Sequence, residues 1–307
     1  MEISIIVEGV LSLFIIMLVG VYGSRRKIIT PEINRGLTDI LLKIALPSMI
    51  LSSFMLTYNE GIKDNVGKTF YYSFIFYILI TLISFVLLIP MKSEKKVVIH
   101  FVNIFTNIGY IGFPILNSIY GQEGVIYGSI VNMFFIIFVW TYGVILFNGK
   151  FNKKELKKEI IKVLLNPSVV AVVIGVIIMV LNIKLPGAIL SSIKSIGSIT
   201  GPLSMIIIGS TLSNVKIRSY LKDWTVYYGI VTRLIVIPLI FYGISLLVGD
   251  TSKVAKTIII LSSMPAAAMT SILAESFDKE KEYAAIMVFG TTLFSIITVP
   301  ILLRIIM

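Results

Sequence analysis

Ten apolar stretches, near residues 3–23, 36–57, 69–90, 97–120, 124–148, 166–183, 188–212, 224–248, 254–275 and 283–305, follow one another with little between them. A helix needs about 20 apolar residues to cross a hydrocarbon core, and most of these stretches have that length. Lipid offers no partner to backbone N–H and C=O groups, so the chain is expected to fold as an all-α polytopic membrane protein with ten transmembrane helices. Its 57% hydrophobic and 14% charged composition is too apolar for a soluble domain. Residues 3–23 lack a basic leader and a small-residue cleavage site, so they read as the first span rather than a signal peptide. With no cysteine and one histidine, the sequence excludes disulfides and thiolate catalysis, leaves little for a metal site and implies no cofactor.

The net charge of +11 is explained by topology rather than by nucleic acid. Eighteen Lys and Arg residues lie in connections on one side, at 25–35, 92–96, 150–162, 216–222 and 279–281, against six on the other. The richer side is cytoplasmic by the positive-inside rule, which puts both termini on the outer side of a cell membrane. Residues 149–165 form a basic cytoplasmic linker suited to lie near anionic lipid. A cut there leaves five spans in each half (1–148 and 166–307). An odd number of spans per half makes the halves inverted repeats.

Paired interruptions support that repeat. In span four, Gly109, Gly112 and Pro114 crowd into six residues. Proline has no N–H and disfavours helix at the residue before it, so the helix is expected to break there. Span nine carries the run Ser262-Ser263-Met264-Pro265-Ala266-Ala267-Ala268, and Ser-Met-Ile recurs behind a proline in spans two and seven. Broken helices at corresponding positions of two halves point to a transporter site near mid-membrane. The polar groups at that depth are Asn103, Thr106, Asn107, Asn132, Ser262, Ser263 and Thr270, with no carboxylate. Two half-helix N-termini would add partial positive charge, so the site reads as anion-selective.

Each intramembrane ionisable residue needs its own reading. Glu8, Asp39, Lys43 and Lys194 read as helix-end or snorkelling groups, and His100 as interfacial. Arg233 lies near mid-depth in span eight. It either contacts an anion or clamps carbonyls of a neighbouring broken helix.

Asn107-x-Gly109-x-x-Gly112-x-Pro114, Leu46-Pro47 with its trailing serines, Arg233 with Pro238, and Met264-Pro265 together resemble the auxin efflux carrier family. Its members include bacterial malate- and malonate-type permeases and plant auxin exporters. The resemblance implies two inverted five-helix repeats in which spans four and nine break and cross, an architecture like that of sodium/proton antiporters. It implies a dimerising scaffold of spans 1, 2, 6 and 7, and a moving core of spans 3–5 and 8–10. By that resemblance Asn107 contacts a substrate carboxylate, Pro114 and Pro265 fix the breaks, and Ser48 faces the substrate from the scaffold. Asn132 is added because plant members carry polar residues in that helix. Ala266, Ala267 and Ala268 replace bulkier polar residues of the plant pattern, which speaks against auxin as the substrate.

The expectation is therefore a non-enzymatic carrier of small organic anions that works by alternating access, elevator-like. The candidate substrate contacts are Asn103, Asn107, Asn132, Ser48, Ser263 and Arg233. Two other readings share the architecture: a cation/proton antiporter relying on Glu8 or Asp39, and a receptor that binds a carboxylate without moving it.

Overall fold

The computed structural model describes the backbone of residues 3–56, 60–91, 93–148, 161, 163–181, 183, 185–213, 220 and 222–307, with side chains from residue 12 onward outside 56–63. Among these residues the chain is helical, and a single antiparallel bridge, Thr106 with Ala266, is its one extended pairing. Six helical runs are long and apolar enough to cross a membrane: Pro31–Met55, Asp64–Leu87, Ile108–Asn148, Gly187–Leu212, Trp224–Val248 and Lys281–Ile306. Shorter apolar helices are Ser12–Arg25 and Pro167–Val180. Most of the basic 149–165 linker, the side chain of Glu8, and Lys216 and Arg218 lie outside the described residues.

Helix starts follow local chemistry. The Asn166 side chain accepts from Ser168 N at 3.0 Å ahead of Pro167, whose missing N–H costs nothing at a first turn. Ser252 caps Lys253–Ser262 through Ala255 N, and Asp223 caps Trp224–Val231 through Thr225 N. Gly121, at φ 58° and ψ −142°, separates two helical runs inside Phe113–Phe138, where the apolar pattern predicts a boundary between spans four and five. Four wide π-helical turns interrupt longer helices, at Leu41–Ala45, Ile108–Gly112, Val139–Gly143 and Thr232–Val236.

The chain divides into two compact units. One comprises residues 1–71, 108–133 and 163–214, and the other comprises 72–107, 134–162 and 215–307. In the first, the helices Ile3–Arg25 and Thr200–Leu212 meet backbone to backbone. A Cβ on Gly209 would overlap the carbonyl oxygen of Met17, and one on Gly20 that of Ile206. Small residues permit such approach where lipid supplies no hydrophobic drive between helices.

The second unit has an aromatic centre. Tyr77 stacks on Phe138 with ring centroids 4.9 Å apart, and Phe101 and Phe105 lie 4.2 Å apart. The unit also holds most of the polar network described next.

Candidate functional site

Helix Lys96–Ile104 stops at Phe105, whose φ of −101° and ψ of 105° are extended. Helix Lys253–Ser262 stops at Ser263, and helix resumes at Met269. The two unwound segments pair with each other. Asn107 N donates to Pro265 O at 2.8 Å, and Ala267 N donates to Phe105 O at 2.9 Å. Ala266 N donates to Thr291 Oγ1 at 3.1 Å. Every peptide N–H between Pro265 and Ala267 is thereby accounted for, since Pro265 has none. That accounting lets irregular backbone persist where water is absent.

The carbonyl ends of both helices converge on Arg233, which is fully buried. Its Nη1 donates to Asn103 O at 2.7 Å, Nη2 to Ser262 O at 2.6 Å, and Nε and Nη2 to Met264 O at 3.0 and 2.9 Å. Each helix C-terminus carries partial negative charge and unpaired carbonyls, so one guanidinium neutralises two helix ends at once. The wide turn Thr232–Val236 presents it, and Pro238, with no N–H to give, stands two residues beyond, in the first turn of the next helix.

The first break lies at Phe105–Asn107, ahead of the Gly109, Gly112 and Pro114 cluster, rather than at Phe113 where the proline predicts it. The two glycines sit in the wide turn Ile108–Gly112, and Pro114 sits just inside the helix after it. Glycine and proline loosen that helix without unwinding it. Unwinding occurs at Phe105–Asn107, where a second segment supplies hydrogen bonds. Pro265 lies within the second break.

Of the candidate residues, Asn103, Asn107, Ser263 and Arg233 fall in the second unit around this crossing, whereas Ser48 and Asn132 belong to the first. Asn103 Oδ1 accepts from Thr232 Oγ1 at 3.2 Å, while its Nδ2 is buried without a partner. Thr106 Oγ1 and Thr270 Oγ1 are likewise buried and unpartnered. Ser262 and Ser263 donate back to Ile259 O and Ile260 O of their own helix, at 2.7 and 2.6 Å. Thr232 and Thr291 are absent from the sequence reading. A threonine in an apolar helix bonds its own preceding turn as a rule, and only the fold shows which ones reach further.

His100 is packed inside the protein. It is 5% exposed, with Nδ1 2.8 Å from Ser84 Oγ and Nε2 2.7 Å from Tyr142 OH, so hydroxyls satisfy both ring nitrogens. Just ahead of its helix, Lys95 donates to Asp223 Oδ2 at 2.5 Å. The hydrogen bond to Asp223 raises the Lys95 pKa above its usual value despite partial burial. Burial works against the Asp223 charge, but hydrogen bonds from Lys95 and Thr225 outweigh it and hold the carboxyl below the ordinary range.

Among the described residues Arg233 is the one buried Lys, Arg, Asp or Glu side chain. Asp39 is ion-paired to Lys43 at 3.0 Å, with its side chain 64% exposed. No group of three or more His, Cys, Asp and Glu among the described residues could hold a metal ion.

Comparison with known proteins agrees with this picture of a membrane-embedded helical protein. A chain of Methanocaldococcus jannaschii named as an uncharacterized transporter is 26% identical over 307 residues, covering 96% of each sequence. A second uncharacterized transporter, from Methanothermobacter thermautotrophicus, is 25% identical over 303 residues, again covering 96% of each. The family model described as membrane transport protein matches residues 5–303. With nearly its whole length matched, the chain belongs to that family of membrane transport proteins, the auxin efflux carrier family.

Proposed function

We propose that this transporter carries small organic anions, of the malate and malonate kind, across the cell membrane by alternating access. The observation that carries this reading is the crossing itself: two unwound segments, buried unpartnered Asn103 Nδ2 and Thr106 and Thr270 Oγ1, and no buried carboxylate among the described residues. A desolvated cation needs a full negative charge or several oxygens, and here the carbonyls that could serve one already face Arg233. An amide donor beside a helix start suits a carboxylate. Asn107 is the contact assigned to it, with Asn103 behind. Arg233 acts as a fixed cation that holds the crossing together.

This reading includes ten spans in two inverted repeats. Spans 1, 2, 6 and 7 form a dimerising scaffold and the remaining six an elevator-like core, with both termini outside. Moving a lone anion through a neutral site is electrogenic, worth about 2.3 kcal/mol per charge at 100 mV, and a negative interior favours export.

The test is flux of radiolabelled L-malate in proteoliposomes at two imposed potentials. Potential-dependent flux lost in Asn107→Ala supports the proposal. Undiminished flux in that variant removes Asn107 from the site. Antiport would show instead as a cation-driven pH change that disappears in Asp39→Asn. Saturable malate binding without flux would make the protein a receptor.

A further inference from the structure

Helix Lys96–Ile104 carries the one histidine of the chain a turn ahead of the crossing. His100 and Asn103 are three residues apart, so they are neighbours on the helix surface. The ring is held from two other elements. Ser84 Oγ, on helix Glu60–Leu87, lies 2.8 Å from Nδ1, and Tyr142 OH, on the wide turn Val139–Gly143, lies 2.7 Å from Nε2. Gly143 permits this approach, since a Cβ there would stand 2.8 Å from Cε2 of Phe101. His100 and Ser84 are buried while Tyr142 is partly exposed, so the phenol is the side from which a proton reaches the ring.

Both partners are hydroxyls, and their chemistry decides what the ring can do. A neutral imidazole has one N–H and one lone pair, so it donates to one hydroxyl and accepts from the other. An imidazolium donates twice. A carbonyl or a peptide N–H would fix the ring in one state, but turning a single O–H around admits the second proton with no heavy atom displaced. The hydrogen bonds thus fit both charge states. Charge does not. Lys96, one turn earlier on the same helix, is the charge that acts on the ring, and Arg233 is engaged with carbonyls. On the adjoining helices Tyr228 OH and Tyr283 OH donate to Leu87 O and Thr225 Oγ1, and Glu275 is exposed. No carboxylate among the described residues is buried, and a buried charge persists only where it is paired. An anion held at the crossing is the missing partner.

We propose that His100 takes up one proton as the organic anion binds, so that the two cross together. In the tautomer whose Nδ1–H faces Ser84, a proton passes from water to the Tyr142 oxygen as the phenol's own proton passes to Nε2. The phenol ends neutral and the ring charged, and release reverses both transfers. By linkage, anion and proton strengthen each other's binding by the same factor. The proposal rests on the reading that the crossing carries organic anions. Malate, a dianion, still moves net negative charge with one proton aboard, so its flux stays potential-dependent.

Proteoliposomes with a trapped pH dye and radiolabelled L-malate, their potential clamped by potassium and valinomycin, test it. Wild type is expected to move about one proton with each malate, and His100→Gln, whose amide donates and accepts but does not titrate, should cut that ratio at least about tenfold. Malate flux without protons in the wild type overturns the proposal and leaves the carrier reading intact. An unchanged ratio in His100→Gln also overturns it, since the proton then travels on malate itself. Absence of malate flux in folded wild type defeats the carrier reading and this proposal with it. If His100→Gln does not fold, calorimetry of malate binding to wild type in two buffers of different ionisation enthalpy decides. Proton uptake that fades as pH rises through the imidazole range supports the proposal. No uptake, or uptake confined to pH below malate's own second ionisation, overturns it.

Discussion

The two compact units solve the problem of building in lipid by different means. The first relies on shape: Gly20 and Gly209 let two helices touch through their backbones, and Gly175 accepts the Phe54 ring. The second relies on directional bonds: a paired break, one buried guanidinium and three carbonyls it satisfies. Contact packing is nearly blind to chemistry and tolerates no added volume. A hydrogen-bonded crossing tolerates some volume and no missing partner.

The contrast is most exposed to failure at Arg233. Arg233→Ala leaves carbonyls at both helix ends unmet and is expected to cost about 3–5 kcal/mol, with Arg233→Lys recovering part. Thermal unfolding in detergent, with yield of monodisperse protein as a second readout, measures it. An unchanged midpoint would mean the crossing does not depend on its cation. On the shape side, Gly209→Val must push the Met17 backbone away and is expected to cost about 2–3 kcal/mol by the same assay. If Gly209→Val were harmless and Gly209→Ser were not, polarity rather than volume would govern the first unit.

Smaller effects sharpen the picture. Asn107→Ala is expected to lower malate flux about tenfold, equivalent to about 1.4 kcal/mol, with the unfolding midpoint little changed. A matching loss of stability would make the residue structural.

Asp223→Asn should cost about 0.5–1 kcal/mol. The lowered Asp223 pKa gives stability that is present above the unfolded carboxylate value, about 3.9, and lost as pH falls through the folded one. The raised Lys95 pKa gives stability that is present below about 10.4 and lost as pH rises through the folded value. The gap between wild type and Asp223→Asn should thus be flat from about pH 5 to 9 and close below about pH 4. A gap that persists at pH 3 would assign the loss to the helix cap instead.

Much of this could be read from residues near one another in the chain. Apolar length marked where helices lie, and the proline and serine run at 262–268 marked a break. The first break was misplaced by a few residues, because Gly109, Gly112 and Pro114 report only what a helix dislikes. Phe105–Asn107 unwinds because of what Pro265–Ala267 offers from far along the chain. The partners of His100 were illegible for the same reason: Ser84 and Tyr142 lie 16 and 42 residues away.

What the amino-acid order determined alone was the helical membrane class, the helix positions and the polar inventory of the interrupted spans, since hydropathy, capping and proline chemistry act within a few residues. Tertiary structure alone decided which carbonyls Arg233 holds and which two segments pair. Those depend on directional bonds between residues far apart in the chain, such as Phe105 and Ala267, 162 positions apart, and no local pattern records them.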